Sequence, residues 1–211
     1  MNTVWSGFVR QCVAAAGMIL GLTLILGLAY PAAVWAISRV NTDGAEGSRV
    51  FDTAGCAVGS TLIGVDPQVE AGAPDPYLHA RVVGAPGEPM ATGDPAASAA
   101  TNQGPNSEAL LTNVTARRAL IAAREGVTPA QVPADAVTGS GSGLDPHISP
   151  AYAGLQVARL ARENRRSPAE IEAVIDAHTE GRQFGFLGEP RVNVLEVNLA
   201  LGHAPPGCRA P

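Results

Sequence analysis

The chain has 211 residues, which is enough for one ordinary domain and an appendage. Its formal net charge of −5 and pI near 5.3 argue against the basic stripe of nucleic-acid-binding proteins, so no nucleic acid is expected as a partner. All 14 basic residues are arginine. The absence of lysine excludes a Ser-Lys hydrolase and a P-loop, whose lysine grips the phosphates.

The first predicted element is a membrane-spanning helix over residues 13–37, a stretch without any charged side chain. An uncharged apolar run of roughly 20 residues crosses the ~30 Å hydrocarbon core of a bilayer. Trp5 and Trp35 bracket the run, as aromatic residues do at membrane interfaces. The alternative is a secretory signal cleaved after residues 34–36, although signal cores are usually only about 7–15 residues long. Both interpretations send the remaining chain across the membrane.

The residues around this anchor are assigned to a short tail (1–12), a polar tether (38–49) and one domain (50–211). In the domain, strands are predicted at 60–65 and 76–83, because β-branched and apolar residues cluster there. Residues 84–107 are dense in glycine, proline, alanine and serine and therefore predict a long loop.

Helical patterning dominates the next part of the domain. Apolar residues recur at helical intervals over 108–125, and the alternation at 191–201 predicts a final strand. Hydroxyl residues followed by proline predict three further helix starts, at Thr128-Pro129, Ser149-Pro150 and Ser167-Pro168. The expected fold class is therefore α+β, with one N-terminal transmembrane helix followed by a single mixed α/β domain.

Three cysteines bear on the compartment. Cys12 falls next to the anchor and is expected to pack as a small apolar group. Cys56 and Cys208 lie outside the anchor, and in an oxidising compartment they could form a disulfide. Two unpaired thiols are the alternative, since sequence spacing alone does not decide between them.

Residues 140–150, SGSGLDPHISP, most resemble an active site. Neither Ser140 nor Ser142 has the flanking glycines of a hydrolase nucleophile elbow. Asp145 and His147 could serve an anchored ligand-binding module or enzyme, whereas a turn or capping role fits an aspartate before proline. The histidines and cysteines show no metal-ligand spacing, so no metal is expected.

Several motifs resemble the C subunit of the Kdp potassium-transporting ATPase, the KdpC family. They are the stretches at 137–163 and 185–201, supported by GSTLIG at 59–64 and by the single span ending near Tyr30. The segment 77–107 departs from the family pattern, so the resemblance assigns no residue roles there.

The resemblance implies a non-catalytic subunit of a bacterial potassium uptake complex in the inner membrane. Its partners would be a potassium-conducting channel-like subunit, a P-type catalytic subunit and a small hydrophobic subunit. Its role would be to stabilise the assembly and to act as a chaperone that raises the ATP affinity of the catalytic subunit.

The resemblance also implies a direct ATP contact, with no other cofactor expected, through Ser140, Gly141, Ser142, Gly143 and Gln156. An extracytoplasmic domain would not meet ATP, because the bilayer separates the two compartments. The alternative is therefore that the loop docks the channel-like subunit near its outer mouth, through Leu144, Asp145, Pro146 and His147.

Overall fold

The computed structural model describes residues 2–53, 55–64, 66–70, 72–85 and 87–203. The chain divides into two compact units, Met1–Ser48 and Arg49–Pro211.

A continuous helix makes up most of the first unit. Among the described residues it is the one helix long and apolar enough to cross a membrane, over Val4–Ser38, and none of its most apolar stretch is buried. At 1.5 Å per residue its 35 residues span about 50 Å, which exceeds the hydrocarbon core. It comprises α1 (Asn2–Leu24), a π-helical turn (Ile25–Ala29) and α2 (Tyr30–Ser38).

Two regions outside the predicted anchor are also helical. The helix already begins at Asn2, inside the stretch assigned to the tail. The tether contains one helical turn, α3 (Thr42–Ala45). The side chain of Asn41 caps this turn by accepting a hydrogen bond from Gly44 N.

The second unit combines two small antiparallel sheets with five helices among its described residues. The first sheet pairs β1 (Arg49–Phe51) with β2 (Ala57–Ser60), and the second has the order β3 (His147–Ile148), β5 (Arg191–Asn193), β4 (Thr179–Glu180). The helices are α4 (Glu108–Glu125), α5 (Ala134–Val137), α6 (Pro150–Asn164), α7 (Pro168–Ala177) and α8 (Val194–Ala200). The predicted α+β class with one N-terminal apolar helix is confirmed.

The predicted helix starts are confirmed by their caps. The hydroxyl groups of Ser149 and Ser167 accept hydrogen bonds from backbone N–H groups of α6 and α7, and proline occupies the next position. Thr128 precedes a 3₁₀ turn at Pro129–Gln131. α4 ends at Gly126, which adopts φ 69°, a left-handed conformation that glycine accepts without steric cost.

The predicted strand over 191–201 is wrong beyond Asn193, where α8 begins. The side chain of Asn193 accepts a hydrogen bond from Glu196 N and so caps this helix. From Val194 onward the buried residues are Val194, Val197, Asn198 and Leu201, which have helical spacing rather than strand spacing.

The predicted strands at 60–65 and 76–83 are also wrong. β2 reaches only Ser60, after which the chain turns, and Val65 lies outside the described residues. Residues 76–83, all described, form no strand because side chains take the place of a neighbouring strand. Asn198 accepts from Leu78 N at 2.7 Å and donates to Leu78 O at 2.9 Å.

The core of the second unit lies where α4, α6 and α7 meet β5 and α8. Its fully buried members include Ile121, Leu160, Ile171, Val192 and Val197. The predicted loop over 84–107 has no helix or strand among its described residues.

A buried arginine holds the start of that loop. Arg117, on α4 and 2% exposed, donates to the carbonyl groups of Val83, Pro89 and Val137. Burial lowers the pKa of its guanidinium. These bonds anchor a segment that has too few large apolar side chains to anchor itself.

Candidate functional site

Three segments that are distant in sequence meet around the 140–150 loop. Gly64 N donates to Leu144 O at 2.7 Å, and Val194 N donates to Pro146 O at 3.0 Å. Asn193 bridges the outer segments, since its side chain donates to Thr61 O at 3.0 Å. A β-carbon on Gly64 would collide with the backbone of the loop, so glycine permits this close approach.

The first half of the loop folds around the Ser140 hydroxyl. Ser140 is 5% exposed, and its Oγ accepts hydrogen bonds from the backbone N–H groups of Ser142, Gly143 and Asp145 at 3.0–3.3 Å. Gly143 has φ 73° and packs so closely on the backbone of Ala99 that a β-carbon would clash. The amides that would receive a phosphate in a nucleotide site therefore bind the loop's own serine.

The second half of the loop is fixed by an ion pair. Arg81 Nη1 donates to Asp145 Oδ2 at 3.0 Å, and the same guanidinium donates to the carbonyl groups of Thr138 and Gly139. His147 N donates to Asp145 Oδ1 at 3.0 Å. The Asp145 carboxylate thus has an identified structural task. The described residues contain no cluster of three or more His, Cys, Asp or Glu that could hold a metal.

Gln156, on α6, is fully buried in the core. Its Oε1 accepts from His79 N and from the Arg159 guanidinium, both at 2.9 Å. Its Nε2 donates to His79 O at 3.2 Å and to Tyr152 O at 3.4 Å. The amide is occupied by its own domain, and these partners, His79, Tyr152 and Arg159, all lie outside the 140–150 loop.

Next to Gln156 lies a buried ionic network that the sequence patterns did not reveal. His79 is 4% exposed and lies between two carboxylates: its Nδ1 is 3.1 Å from Asp66 Oδ1, and its Nε2 is 2.8 Å from Asp75 Oδ2. Burial lowers the pKa of His79, but the hydrogen bonds to Asp66 and Asp75 outweigh burial and raise it. Both ring nitrogens face carboxylate oxygens, which accept hydrogen bonds, so the arrangement favours the imidazolium form, in which both nitrogens donate.

Two arginines extend the network. Arg159 Nε donates to Glu125 Oε2 at 3.0 Å, and Arg124 Nε donates to Glu125 Oε1 at 2.7 Å. Burial raises the pKa of Asp75, but the hydrogen bond and charge of His79, together with both arginines, lower it below its usual value. Three cations therefore face three carboxylates, which is how a protein interior tolerates buried charge. No periodic pattern could have revealed them, because hydropathy places arginine and glutamate on the surface.

A pocket of 570 Å³ lies beside the network, and Asp66 is part of its wall. Its other lining residues are mainly apolar and include Val58, Ile63 and Leu195. Neither Asp145 nor His147 lines it. The two residues that the sequence suggested for chemistry are thus separate from this concave surface.

Residues 12–203 match one family model, that of the K+-transporting ATPase, c chain (KdpC). The chain belongs to this family. Similar proteins include three that are each named potassium-transporting ATPase KdpC subunit. The one from Kineococcus radiotolerans is 44% identical over 98% of this chain and 100% of its own length. The one from Methylococcus capsulatus is 44% identical over 87% of this chain and 93% of its own length. The one from Caulobacter sp. is 43% identical over 91% of each chain.

Membership of the KdpC family confirms the resemblance that the motifs indicated, and it makes the chain an accessory subunit rather than the catalytic one. The motifs at 59–64, 137–163 and 185–201 are the same segments that meet around the 140–150 loop.

Of the two alternatives left open for the cysteines outside the anchor, a disulfide and two unpaired thiols, the described residues favour the disulfide at Cys56. Cys56 is buried and disulfide-bonded, whereas Cys12 is a free, exposed cysteine in α1. Cys208, the partner predicted from the sequence, lies outside the described residues.

Proposed function

We propose that this chain stabilises an assembled potassium-transporting ATPase as a single-pass subunit of the bacterial inner membrane. Helix Val4–Ser38 would lie in the bilayer, and the domain Arg49–Pro211 would lie on the extracytoplasmic side. The exposed apolar helix supports the anchor, because such a surface is stable only when lipid or other membrane helices cover it.

The observation that carries the docking role is the preformed 140–150 loop. Internal hydrogen bonds and two neighbouring segments fix its backbone, while Gly141 and Ser142 remain exposed and Leu144 and His147 half-exposed. A rigid exposed loop loses little conformational entropy on binding. Its partner would be the channel-like subunit that conducts potassium, contacted near the outer mouth through Leu144, Asp145 and His147. Pro146, also predicted for docking, is buried in the domain.

The role of a chaperone that raises ATP affinity would then act through the assembly. Docking would stabilise the complex of the channel-like subunit, the P-type catalytic subunit and the small hydrophobic subunit. A direct ATP contact through residues 140–143 and Gln156 has less support, because both sets of polar groups are bound within the domain. An anchored enzyme using Asp145 and His147 has less support for the same reason.

The side of the membrane is tested by labelling introduced cysteines with a membrane-impermeant thiol reagent in intact cells, relative to the Cys12→Ser chain without them. Cys12 is first replaced by serine, and a cysteine is introduced at exposed Ser142. A matched variant carries its cysteine at Asn2, which precedes the apolar stretch Val4–Ser38. We expect Ser142→Cys to react in intact cells and Asn2→Cys to react only after lysis. Labelling of Ser142→Cys only after lysis would overturn the outward orientation and favour the nucleotide contact.

A further inference from the structure

The 570 Å³ pocket of the domain Arg49–Pro211 has the size and the lining of a ligand site. Small-molecule pockets in proteins usually measure about 300–1,000 Å³ and are lined mainly by apolar side chains. Val58, Ile63 and Leu195 provide aliphatic walls, and Tyr77 adds an aromatic one. The 140–150 loop does not contribute to the pocket, so the cavity is a separate site.

The buried polar groups of the cavity wall are already paired within the domain. The side chain of Asn198 both donates to and accepts from the backbone of Leu78, and Ser60 Oγ accepts a backbone N–H at 3.1 Å. Both oxygens of Asp66 face His79 Nδ1, at 3.1 and 3.2 Å. Because these groups have partners, they do not need a polar ligand, and the wall offers mainly hydrocarbon to whatever enters.

The described wall of the cavity carries no unbalanced charge. Apart from Tyr77, its ionisable residues are Asp66 and His203. The carboxylate of Asp66 is paired with His79. Burial and the charge of Arg166 lower the pKa of His203, so its ring is neutral at pH 7. A wall of this kind favours an apolar ligand over a charged one.

The volume of the cavity fits one hydrocarbon chain. A protein cavity of about 150 Å³ holds benzene, which has six carbon atoms, so 570 Å³ holds about 20 carbon atoms at the same density. That is enough for the single chain of a long-chain fatty acid and too little for both chains of a diacyl phospholipid. Fatty acids partition into bilayers, so a chain anchored by helix Val4–Ser38 would have a supply of them.

We propose that the cavity binds the hydrocarbon chain of one long-chain fatty acid. Its exposed lining residues, which mark the mouth, are Gly59, Ile63, Gln68 and Pro95. The carboxylate head stays in water at this mouth, because burying it without a partner would be costly. The inference goes beyond the proposed function and is independent of the side of the membrane on which the domain lies. Its failure would therefore leave the labelling of Ser142→Cys unchanged.

The first test uses the full chain in phosphatidylcholine nanodiscs with a palmitic acid that carries a photo-reactive diazirine on its chain. After irradiation, peptide mapping locates the adducts. We expect adducts in segments 57–68 and 194–203, which contain most of the lining residues, and their loss when unlabelled palmitic acid is in excess. Phosphatidylcholine with the same diazirine on one chain should not label these segments. Palmitic acid adducts on helix Val4–Ser38 alone, or equal labelling of the cavity by both probes, would overturn the proposal.

A matched pair of variants tests the cavity itself. Ile63 lines the cavity, whereas its neighbour Leu62 is 62% exposed and does not. A carboxylate at position 63 opposes the entry of hydrocarbon, so labelling of the cavity should fall at least about tenfold in Ile63→Asp and persist in Leu62→Asp. Val58→Trp, which fills part of the cavity with a neutral ring, should give the same loss and replaces Ile63→Asp if that variant folds poorly.

Thermal unfolding in the same nanodiscs gives a readout that does not depend on cross-linking. A ligand that binds only the folded state raises the melting temperature. Palmitic acid should therefore raise the melting temperature of the unmodified chain and of Leu62→Asp, and should leave that of Ile63→Asp and Val58→Trp unchanged. Equal labelling and equal thermal shifts in all four chains would contradict the proposal.

Discussion

Replacing Gln156 by alanine should destabilise the domain Arg49–Pro211 by about 4 kcal/mol. The two bonds to the backbone of His79 are neutral, and each such bond contributes about 1 kcal/mol. The bond to Arg159 involves a charge and contributes about 2 kcal/mol. The longer bond to Tyr152 O, at 3.4 Å, is neglected. Alanine also leaves the backbone groups of His79 buried without a partner, so the total is a lower bound.

Thermal unfolding of the full chain in detergent, followed by circular dichroism, measures this loss. For a domain of this size about 4 kcal/mol corresponds to a melting temperature lower by roughly 10 °C. The matched control is Gln183→Ala, an exposed glutamine between β4 and β5, which should change the free energy of unfolding by less than about 0.5 kcal/mol.

The same variant separates the structural role of Gln156 from a nucleotide contact. If Gln156→Ala melted like the unmodified chain while the assembled ATPase lost affinity for ATP, the amide would be acting on nucleotide and the structural explanation would be refuted. A large loss of stability shared by Gln156→Ala and Gln156→Leu supports the structural explanation.

Two further predictions concern the network and the loop. The pKa of His79 is raised in the folded domain, so its contribution to stability is fully present below about pH 6.5 and is lost as the pH rises through the folded pKa. The melting temperature should therefore fall as the pH rises above about 6.5, and the fall should vanish in His79→Gln, whereas a persisting fall would assign it to another group. Gly143→Ala should destabilise the domain by at least about 2 kcal/mol, since alanine is strained at φ 73° and would clash with a neighbouring backbone. Gly141→Ala has open space around it and should change the unfolding free energy by less than about 0.5 kcal/mol, so equal effects on thermal unfolding would disprove the packing account.

Helix starts could be predicted from the sequence where the interactions that form them involve neighbouring residues. The starts of α6 and α7 follow from Ser149 and Ser167, because a capping hydroxyl and a proline act within one helical turn. A different capping signal was available for α8, where Asn193, a residue type that caps helices, precedes Glu196 by three residues. The alternation of leucine and valine at 191–201 led to the prediction of a strand. The apolar residues of this segment fit a helical spacing as well, so hydropathy alone did not distinguish the two.

The two wrong strands at 60–65 and 76–83 failed for a different reason. An extended segment becomes a strand only when another segment supplies its hydrogen bonds. At Leu78 and His79 the partners are the side chains of Asn198 and Gln156, which come from α8 and α6. Nothing near residue 78 in the sequence indicates that such side chains will arrive.

By itself, the sequence determined the apolar helix, the bounds of α4, the starts of α6 and α7, and the family, since each depends on residues that are neighbours along the chain. Only the tertiary structure decided what the polar residues do. Asp66, Asp75 and His79 lie far from Glu125 and Arg159 in the sequence, yet all five share one buried site. Buried charge is tolerated only when the opposite charge lies within a few ångströms. That condition depends on distances in space, which the linear order of residues does not contain.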